Sequence, residues 1–209
     1  MICCKLYHFS IRMNAECIRY LFAFLFVPFE DFRIDSEHWN TNELANDVPF
    51  GKLPMLQYDG RNITGTLTIA RFLANQYNLT PKTNYDQALA DMYAEAVMDL
   101  SDRLTPVNRA GIFLKDQKRK VIEWERFKRY HLSGTFSYIE KRLTKGEWLC
   151  GQKKVSWADF VLAEFSDRIN TLYDKTALDV FPNIKDHMKR IHSIPSIKVY
   201  TEHRTETDH

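Results

Sequence analysis

The sequence LYHFSIR, residues 6–12, decides how the first part of this chain folds. It closes a run from Ile2 to Phe9 that has the length and composition of a short buried strand. The segment from Ala15 to Phe26 is too long and too apolar for anything except a core helix. A second strand is predicted over Phe29 to Ile34. The chain therefore begins with a βαβ unit.

Two more strands and a helix complete this first unit. Strands predicted over Leu53 to Tyr58 and Arg61 to Thr64 flank Asp59-Gly60, a tight turn in which glycine accepts a positive φ. Thr66 is placed to cap the next helix. The apolar residues of that helix recur at helical spacing: Ile69, Phe72, Leu73 and Tyr77. The order βαβ then ββα predicts a thioredoxin-like domain over residues 1–79.

The remainder of the chain has no strand signal. Residues 80–83 have the composition of a linker, and helical periodicity dominates from residue 84 onward. A long charged helix is predicted from Lys115 to Leu143 and a late amphipathic one from Pro182 to Ser193. Ser156-Trp157-Ala158-Asp159 has the pattern of a capping box at the start of a buried helix. The predicted fold class is α+β, with an all-α domain over residues 84–209.

The bulk composition excludes several classes of function. With 209 residues and 44% hydrophobic content, the chain can bury a sizeable core. Its net charge of +2 gives no strong field for collecting nucleic acid or anionic lipid. No stretch approaches about eighteen uncharged apolar residues, and the N-terminus lacks the pattern of a secretory leader. We therefore expect a cytoplasmic protein without a nucleic-acid or membrane partner.

The four cysteines do not indicate a metal site or a redox motif. Cys3, Cys4, Cys17 and Cys150 show neither CxxC spacing nor nearby paired histidines. We expect free thiols and no metal cofactor.

One basic segment invites a nucleic-acid interpretation. Residues 118–120 and 128–129 are cationic, with Trp124, Phe127 and Tyr130 interleaved. Glutamates at 123 and 125 interrupt the charge on the same helix, which favours a solvated amphipathic helix.

Several segments along the chain form an ordered set of motifs: residues 9–12, Ala15-Glu16, Trp39, residues 49–54, residues 69–74, residues 156–159 and Ile194-Pro195. In order and spacing, this set resembles sigma-class glutathione transferases over essentially the whole chain. The length of the loop between Trp39 and Pro49 is similar to nematode members rather than to the vertebrate prostaglandin D synthase.

The resemblance implies a glutathione site in the first domain, an apolar second-substrate pocket between the domains, and a homodimer. The candidate pocket walls are Phe9, Tyr93, Tyr200 and residues near Leu104 and Ile112, although aromatic residues at helical spacing are more often part of the core. The implied glutathione contacts are Phe9, Arg12, Trp39, Lys52, Leu53, Pro54, Gly65, Thr66 and Asp99.

Individual contacts follow from the family pattern. Pro54 matches a cis-proline that exposes the backbone of Leu53 to the cysteinyl part of glutathione, although alone it would be read as a strand-edge proline. Trp39 and Lys52 match positions at the glycyl end, whereas alone they suggest a packed aromatic and a surface charge.

The glutamyl end of the ligand is implied on three further residues. Thr66 stands where the family has serine at a helix N-terminus, which suits a carboxylate. Gly65 replaces a glutamine and removes one polar contact. Asp99 matches a residue that reaches the α-ammonium across the dimer, while its alternative is a solvated acidic face with Asp91, Glu95 and Asp102.

The catalytic position departs from the family. A thiol with a pKa of about 8.5 is only a few per cent ionised at neutral pH, so a transferase must stabilise the thiolate. Sigma-class enzymes use a tyrosine hydroxyl for this, and gapless matching places His8 there with Tyr7 one residue earlier. His8 could donate as imidazole or as imidazolium. Tyr7 could serve only if the strand slipped or bulged by one residue.

Two hypotheses follow. The first is a glutathione transferase that attacks apolar electrophiles or hydroperoxides. The second is a transferase-like carrier of apolar ligands such as haem or lipids, with most conjugation lost, motivated by His8, Gly65 and an asparagine at position 14 where many relatives have arginine.

Overall fold

The computed structural model describes residues 3–35, 39, 44–151 and 154–205. The chain forms two compact units. The first contains the residues up to Leu79 together with those from Ile194 onward, and the second runs from Thr80 to Ser193. Among the described residues, no helix is both long and apolar enough to cross a membrane.

A four-stranded sheet forms the centre of the first unit. The strands are β1 (Cys4–Phe9), β2 (Glu30–Ile34), β3 (Met55–Tyr58) and β4 (Arg61–Thr64), in the order β2-β1-β3-β4. β1 and β2 are parallel, while β3 is antiparallel to both β1 and β4. This arrangement confirms the predicted thioredoxin-like topology.

The helices of the first unit follow the predicted order. A 3-10 turn at Met13–Ala15 leads into α1 (Glu16–Leu25), and the short α2 covers Leu44–Asp47. A second 3-10 turn at Pro49–Gly51 precedes β3, and α3 (Thr66–Gln76) follows β4. The buried face of α3 contains two alanines beside the larger apolar residues: Ile69, Ala70, Leu73 and Ala74. Small residues there let the helix approach the sheet closely.

Two turns decide the local geometry around the sheet. Asp59 and Gly60 both have positive φ, 49° and 77°, which is the two-residue hairpin turn predicted between β3 and β4. Gly65, with φ of 95°, is the residue before α3, and Thr66 is the first helical residue. The prediction that Thr66 caps this helix is therefore wrong, because the chain enters the helix through a conformation that glycine adopts most easily.

Among the described residues of the second unit, all the regular secondary structure is helical. Its α-helices are α4 (Asn84–Arg103), α5 (Thr105–Asn108), α6 (Gln117–Phe127), α7 (Ser133–Leu143), α8 (Trp157–Arg168) and α9 (Pro182–His192). Wide π-helical segments follow three of them: Arg109–Phe113 after α5, Lys128–Leu132 after α6 and Ile169–Tyr173 after α8. α8 is buried along its whole length and packs against α4 and α9.

The predicted long charged helix is α6 continued through the π segment into α7. It begins at Gln117 because the side chain of Asp116 accepts a hydrogen bond from the backbone N–H of Arg119. Trp124 and Phe127 are buried, and Tyr130 is exposed. Two of the three aromatic residues that would stack on bases in a nucleic-acid complex are therefore not accessible.

The capping box at α8 is confirmed. Asp159 accepts hydrogen bonds from the backbone N–H and the hydroxyl of Ser156, each at 2.8 Å. Its other oxygen lies 2.9 Å from the backbone nitrogen of Leu149 and 2.9 Å from Nε2 of His187. One buried carboxylate therefore joins α8, α9 and the loop before α8.

The last helix, α10 (Pro195–His203), packs against α1 of the first unit. The Tyr200 hydroxyl donates to Glu16 at 3.0 Å, and Arg204 donates to the Tyr20 hydroxyl at 3.0 Å. The sequence predicted one helical domain over residues 84–209, whereas these polar contacts attach α10 and Arg204 to the first unit.

Candidate functional site

Successive residues of β1 point to opposite faces of the sheet, and this separates the two candidate catalytic side chains. Cys4, Leu6 and His8 are buried, while Tyr7 and Phe9 alternate with them and are half-buried. The strand is regular to its end, so it shows neither the slip nor the bulge that Tyr7 would need to replace His8.

His8 is buried and uncharged at neutral pH. Only 5% of its surface is exposed. Burial, reinforced by the positive charge of Arg19, lowers the pKa of the imidazole to about 3. Its Nδ1 atom is buried and has no hydrogen-bond partner among the described residues. The imidazolium form considered from the sequence is therefore not available at neutral pH.

A charge cluster centred on buried Arg19 lies close to His8, and the positive charge of Arg19 helps to keep the imidazole neutral. Arg19 of α1 donates from Nε and Nη2 to Asp31 of β2 at 3.1–3.2 Å, and from Nη1 to Glu16 at 3.1 Å. Asp31 also accepts a hydrogen bond from Arg33 at 2.9 Å, and Arg33 is the register partner of His8. This cluster was not predicted from the sequence, although an arginine within the apolar run of α1 was a signal for a buried ion pair.

Tyr7 faces away from His8 and stacks on a neighbouring aromatic. Its ring lies 4.8 Å from that of Phe32, with an interplanar angle of 15°. Phe32 is its register partner on β2, so the stack is a cross-strand pair. This contact holds the tyrosine on the outer face of the sheet.

The aromatic pair at the end of β1 joins two of the implied ligand contacts. The rings of Phe9 and Trp39 meet edge to face at 5.8 Å. Arg12, two residues beyond Ser10, is buried. The pair gives the end of the strand an apolar wall formed by residues 30 positions apart in sequence.

The loop before β3 is tied to the start of α3. The Leu53–Pro54 peptide bond is cis, as the family resemblance implied. The Thr64 hydroxyl donates to the carbonyl oxygens of Lys52 and of Pro54, the latter at 2.9 Å. The backbone N–H of Gly65 also donates to the Pro54 carbonyl at 3.1 Å. These bonds place the backbone of Leu53 beside the N-terminus of α3.

The sheet register brings the two halves of the site together. The β1–β3 ladder ends with Tyr7 opposite Met55. His8 and Pro54 are the next residues along these antiparallel strands, so the end of β1 adjoins the cis peptide. At this edge Lys52 is exposed, Leu53 is half-buried, and Thr66 is buried at the first turn of α3.

Asp99, the remaining implied contact, lies in the second unit. It is exposed on α4, as are the Glu95 and Asp102 side chains, while Asp91 is half-buried. Within this unit the residue is part of a solvated acidic face.

Nothing in the described part of the chain resembles a metal centre, since it holds no group of three or more histidine, cysteine or acidic side chains suited to one. The cysteines are free, and burial raises the pKa of Cys4 and raises that of Cys150 to about 11. Both thiols are protonated at neutral pH and cannot serve as thiolate nucleophiles.

Comparison with known proteins gives a consistent result over the full length. Residues 4–75 match the family described as glutathione S-transferase, N-terminal domain, and residues 102–204 match glutathione S-transferase, C-terminal domain. A Caenorhabditis elegans protein, probable glutathione S-transferase 9, is 31% identical over 99% of each chain. Human hematopoietic prostaglandin D synthase is 29% identical over 97% of each chain. The solved structure of NaGST-2 has a TM-score of 0.91 at 30% identity and covers all of both chains.

Proposed function

Because the chain belongs to the glutathione S-transferase family, we propose that it binds glutathione at the end of β1 and transfers it slowly to apolar electrophiles. The ordered motifs of the sequence support our proposal that it is a sigma-class, nematode-like member. Hydroperoxides are a second class of acceptor for the same thiolate.

The observation that carries this proposal is the set of hydrogen bonds from Thr64 and Gly65 to the Pro54 carbonyl, which hold the loop at Leu53 against the start of α3. In the proposed complex, the backbone N–H and C=O of Leu53 form the paired hydrogen bonds that the cysteinyl unit of a peptide needs. The N-terminus of α3 offers backbone donors and a positive dipole end to the glutamyl carboxylate. Lys52 and Trp39 flank the glycyl end in this arrangement.

The environment of His8 explains why transfer is expected to be slow. A neutral imidazole donates a single N–H without charge assistance, and an imidazole with a pKa of about 3 is also a weak base at neutral pH. The thiol of bound glutathione then ionises little more than it does in water. Losing one well-placed donor lowers the rate by about a hundredfold to a thousandfold.

The same observation supports the second candidate function, a carrier of apolar ligands with little conjugation. Gly65 also supports the carrier function, because glycine offers no side chain to bind the glutamyl group of glutathione. The carrier and the slow enzyme share a glutathione site and differ in turnover.

We also propose a homodimer in which Asp99 reaches the glutathione of the partner. An exposed carboxylate on α4 has the sign that an α-ammonium requires. Asp99→Asn should weaken glutathione binding several-fold, and Glu95→Gln, one turn away on the same exposed face, should not. Sedimentation at equilibrium tests the dimer separately.

Calorimetry and steady-state conjugation of a dinitrophenyl halide test the proposed function together. We expect glutathione to bind at millimolar or lower concentration, with a low kcat in the natural chain. His8→Tyr should raise kcat by about a hundredfold or more, and Tyr7→Phe should change it by less than twofold. Absence of binding refutes the proposal, and loss of turnover in Tyr7→Phe assigns the donor to Tyr7 instead. Tight binding with negligible turnover in both the natural chain and His8→Tyr favours the carrier.

A further inference from the structure

Two buried polar atoms on neighbouring strands have no role in the fold described above. Arg33 of β2 and His8 of β1 are register partners. Nη1 of Arg33 and Nδ1 of His8 are both buried, and neither has a hydrogen-bond partner in the part of the chain that the structure describes. Unpaired buried polar atoms are rare in folded proteins, so this pair calls for an explanation.

The strand register places the two side chains side by side. Register partners on parallel strands project to the same face of a sheet, and their backbones are about 4.8 Å apart. The preceding register pair, Tyr7 and Phe32, demonstrates this geometry, because its rings stack at 4.8 Å on the other face. Arg33 and His8 therefore share the inner face of the sheet, within the reach of an arginine side chain.

Asp31 holds the guanidinium group of Arg33 by one edge. Nε of Arg33 donates to Asp31 Oδ2 at 2.9 Å, and the same carboxylate accepts hydrogen bonds from Arg19. The Arg33 side chain is 19% exposed, so little water competes for its donors. Because Asp31 pairs with Nε, the terminal Nη1 is left as a charged donor for another acceptor.

His8 offers one acceptor nitrogen to such a donor. Burial, and then the positive charges of Arg19 and Arg33, lower the pKa of His8 to about 3, so the ring is uncharged at neutral pH. A neutral imidazole has one protonated nitrogen and one acceptor nitrogen, and the hydrogen bond made by one nitrogen decides the state of the other. A cationic donor at Nδ1 keeps the proton on Nε2, the nitrogen farther from the backbone.

We infer that Arg33 is a positioning residue for the proposed transfer: its Nη1 donates to Nδ1 of His8, which leaves the Nε2–H group as the donor to the glutathione thiolate. Rotation about the side-chain torsions of Arg33 closes this bond while Nε stays with Asp31. The inference rests on the proposed function for the thiolate and on the strand register for the contact. The imidazole stays neutral throughout, which agrees with slow transfer.

The test follows the ring nitrogens of His8 in the full-length protein by ¹⁵N NMR at neutral pH, with the His8 signals identified from their loss in His8→Gln. Hydrogen bonding lowers the resonance frequency of an unprotonated ring nitrogen. We therefore expect the Nδ1 signal to move to higher frequency in Arg33→Met and in Arg33→Gln. Arg33→Lys keeps a charged donor and should retain the natural position. Arg61→Met removes an exposed arginine from β4 and is the matched control, which should change nothing.

Kinetics supply a second readout, one that a merely structural role would not move. Arg33→Met should lower kcat about tenfold, as expected for the loss of one hydrogen bond from a charged donor, and should leave the KM for glutathione unchanged. This loss should disappear in the His8→Tyr background, because a tyrosine at position 8 has no second ring nitrogen for Arg33 to bind. Urea unfolding of each variant excludes a folding defect as the cause.

Two results would overturn the inference. One is an Nδ1 signal at the same frequency in the natural chain and in both Arg33→Met and Arg33→Gln. The other is an equal loss of kcat from Arg33→Met in the natural chain and in His8→Tyr. The NMR measurement requires neither glutathione nor turnover, so its result is separate from the outcome for the transferase.

Discussion

Acidification should destabilise the protein through His8, and the size of the effect follows from its burial. The imidazole has a pKa of about 3 in the folded chain, against about 6.5 in an unfolded one. As the pH falls below about 6.5, His8 binds a proton in the unfolded state but not in the folded state. Stability is therefore lost as the pH falls from about 6.5 toward 3. Between pH 7 and pH 5 the loss from this one group is about 2 kcal/mol.

His8→Gln isolates this contribution. The substitution keeps a polar side chain of similar size but removes the titrating group. Urea unfolding at pH 7 and pH 5, at one protein concentration, gives the pH-dependent change in the free energy of unfolding for each chain. We expect that change to be about 2 kcal/mol smaller in His8→Gln than in the natural chain. Other titrating groups contribute equally to both chains and cancel.

His203→Gln is the matched control, since this histidine is exposed on α10. This substitution should leave the difference in the free energy of unfolding between pH 7 and pH 5 equal to that of the natural chain. An equal pH dependence in the natural chain and in His8→Gln would mean that His8 is protonated in the fold or exposed to water. Either result refutes the account of a neutral, buried imidazole.

Three further predictions concern single contacts. Gly65→Ala should lower the free energy of unfolding by about 1 kcal/mol or more, because a Cβ disfavours the φ of 95°; urea unfolding measures it. Asp159→Asn should lower it by about 3 kcal/mol, since the change weakens a cap and a bond to buried His187 together, and thermal unfolding should show the loss. Tyr200→Phe should cost about 1–2 kcal/mol by removing a donor to buried Glu16, and should increase amide exchange along α10.

Exposed residues supply controls for these three changes. Asp186→Asn on α9 and Tyr138→Phe on α7 remove the same chemical groups from the surface, and both should be neutral within about 0.5 kcal/mol. Equal losses of stability at the buried and the exposed positions would contradict the stabilising roles assigned to Asp159 and Tyr200. Gly134→Ala is the control for Gly65→Ala. Gly134 lies within α7, so its replacement should leave the free energy of unfolding unchanged or raise it.

Local patterns were enough to predict most of the fold. Alternation in β1, the Asp59-Gly60 turn and the capping box at Ser156 each depend on residues within a few positions of one another. The start of α3 was misplaced by one residue, because side-chain propensity favoured Thr66 while backbone geometry favoured Gly65.

The properties of the site depended on contacts between distant parts of the chain. The neutral state of His8 arises from burial and from Arg19, which a carboxylate of β2 holds in place. The attachment of α10 to the first unit rests on the bond from Tyr200 to Glu16, two residues 184 positions apart. Periodicity carries no information about such pairs.

The ionisation of bound glutathione tests the central claim most directly. The ultraviolet absorbance of the thiolate, followed against pH at saturating glutathione, reports the pKa of the bound thiol. The account predicts a value close to that of an ordinary thiol, about 8.5, in the natural chain and a value at least about two units lower in His8→Tyr. A thiol that is already ionised at pH 7 in the natural chain, and protonated again in His8→Gln, would contradict it.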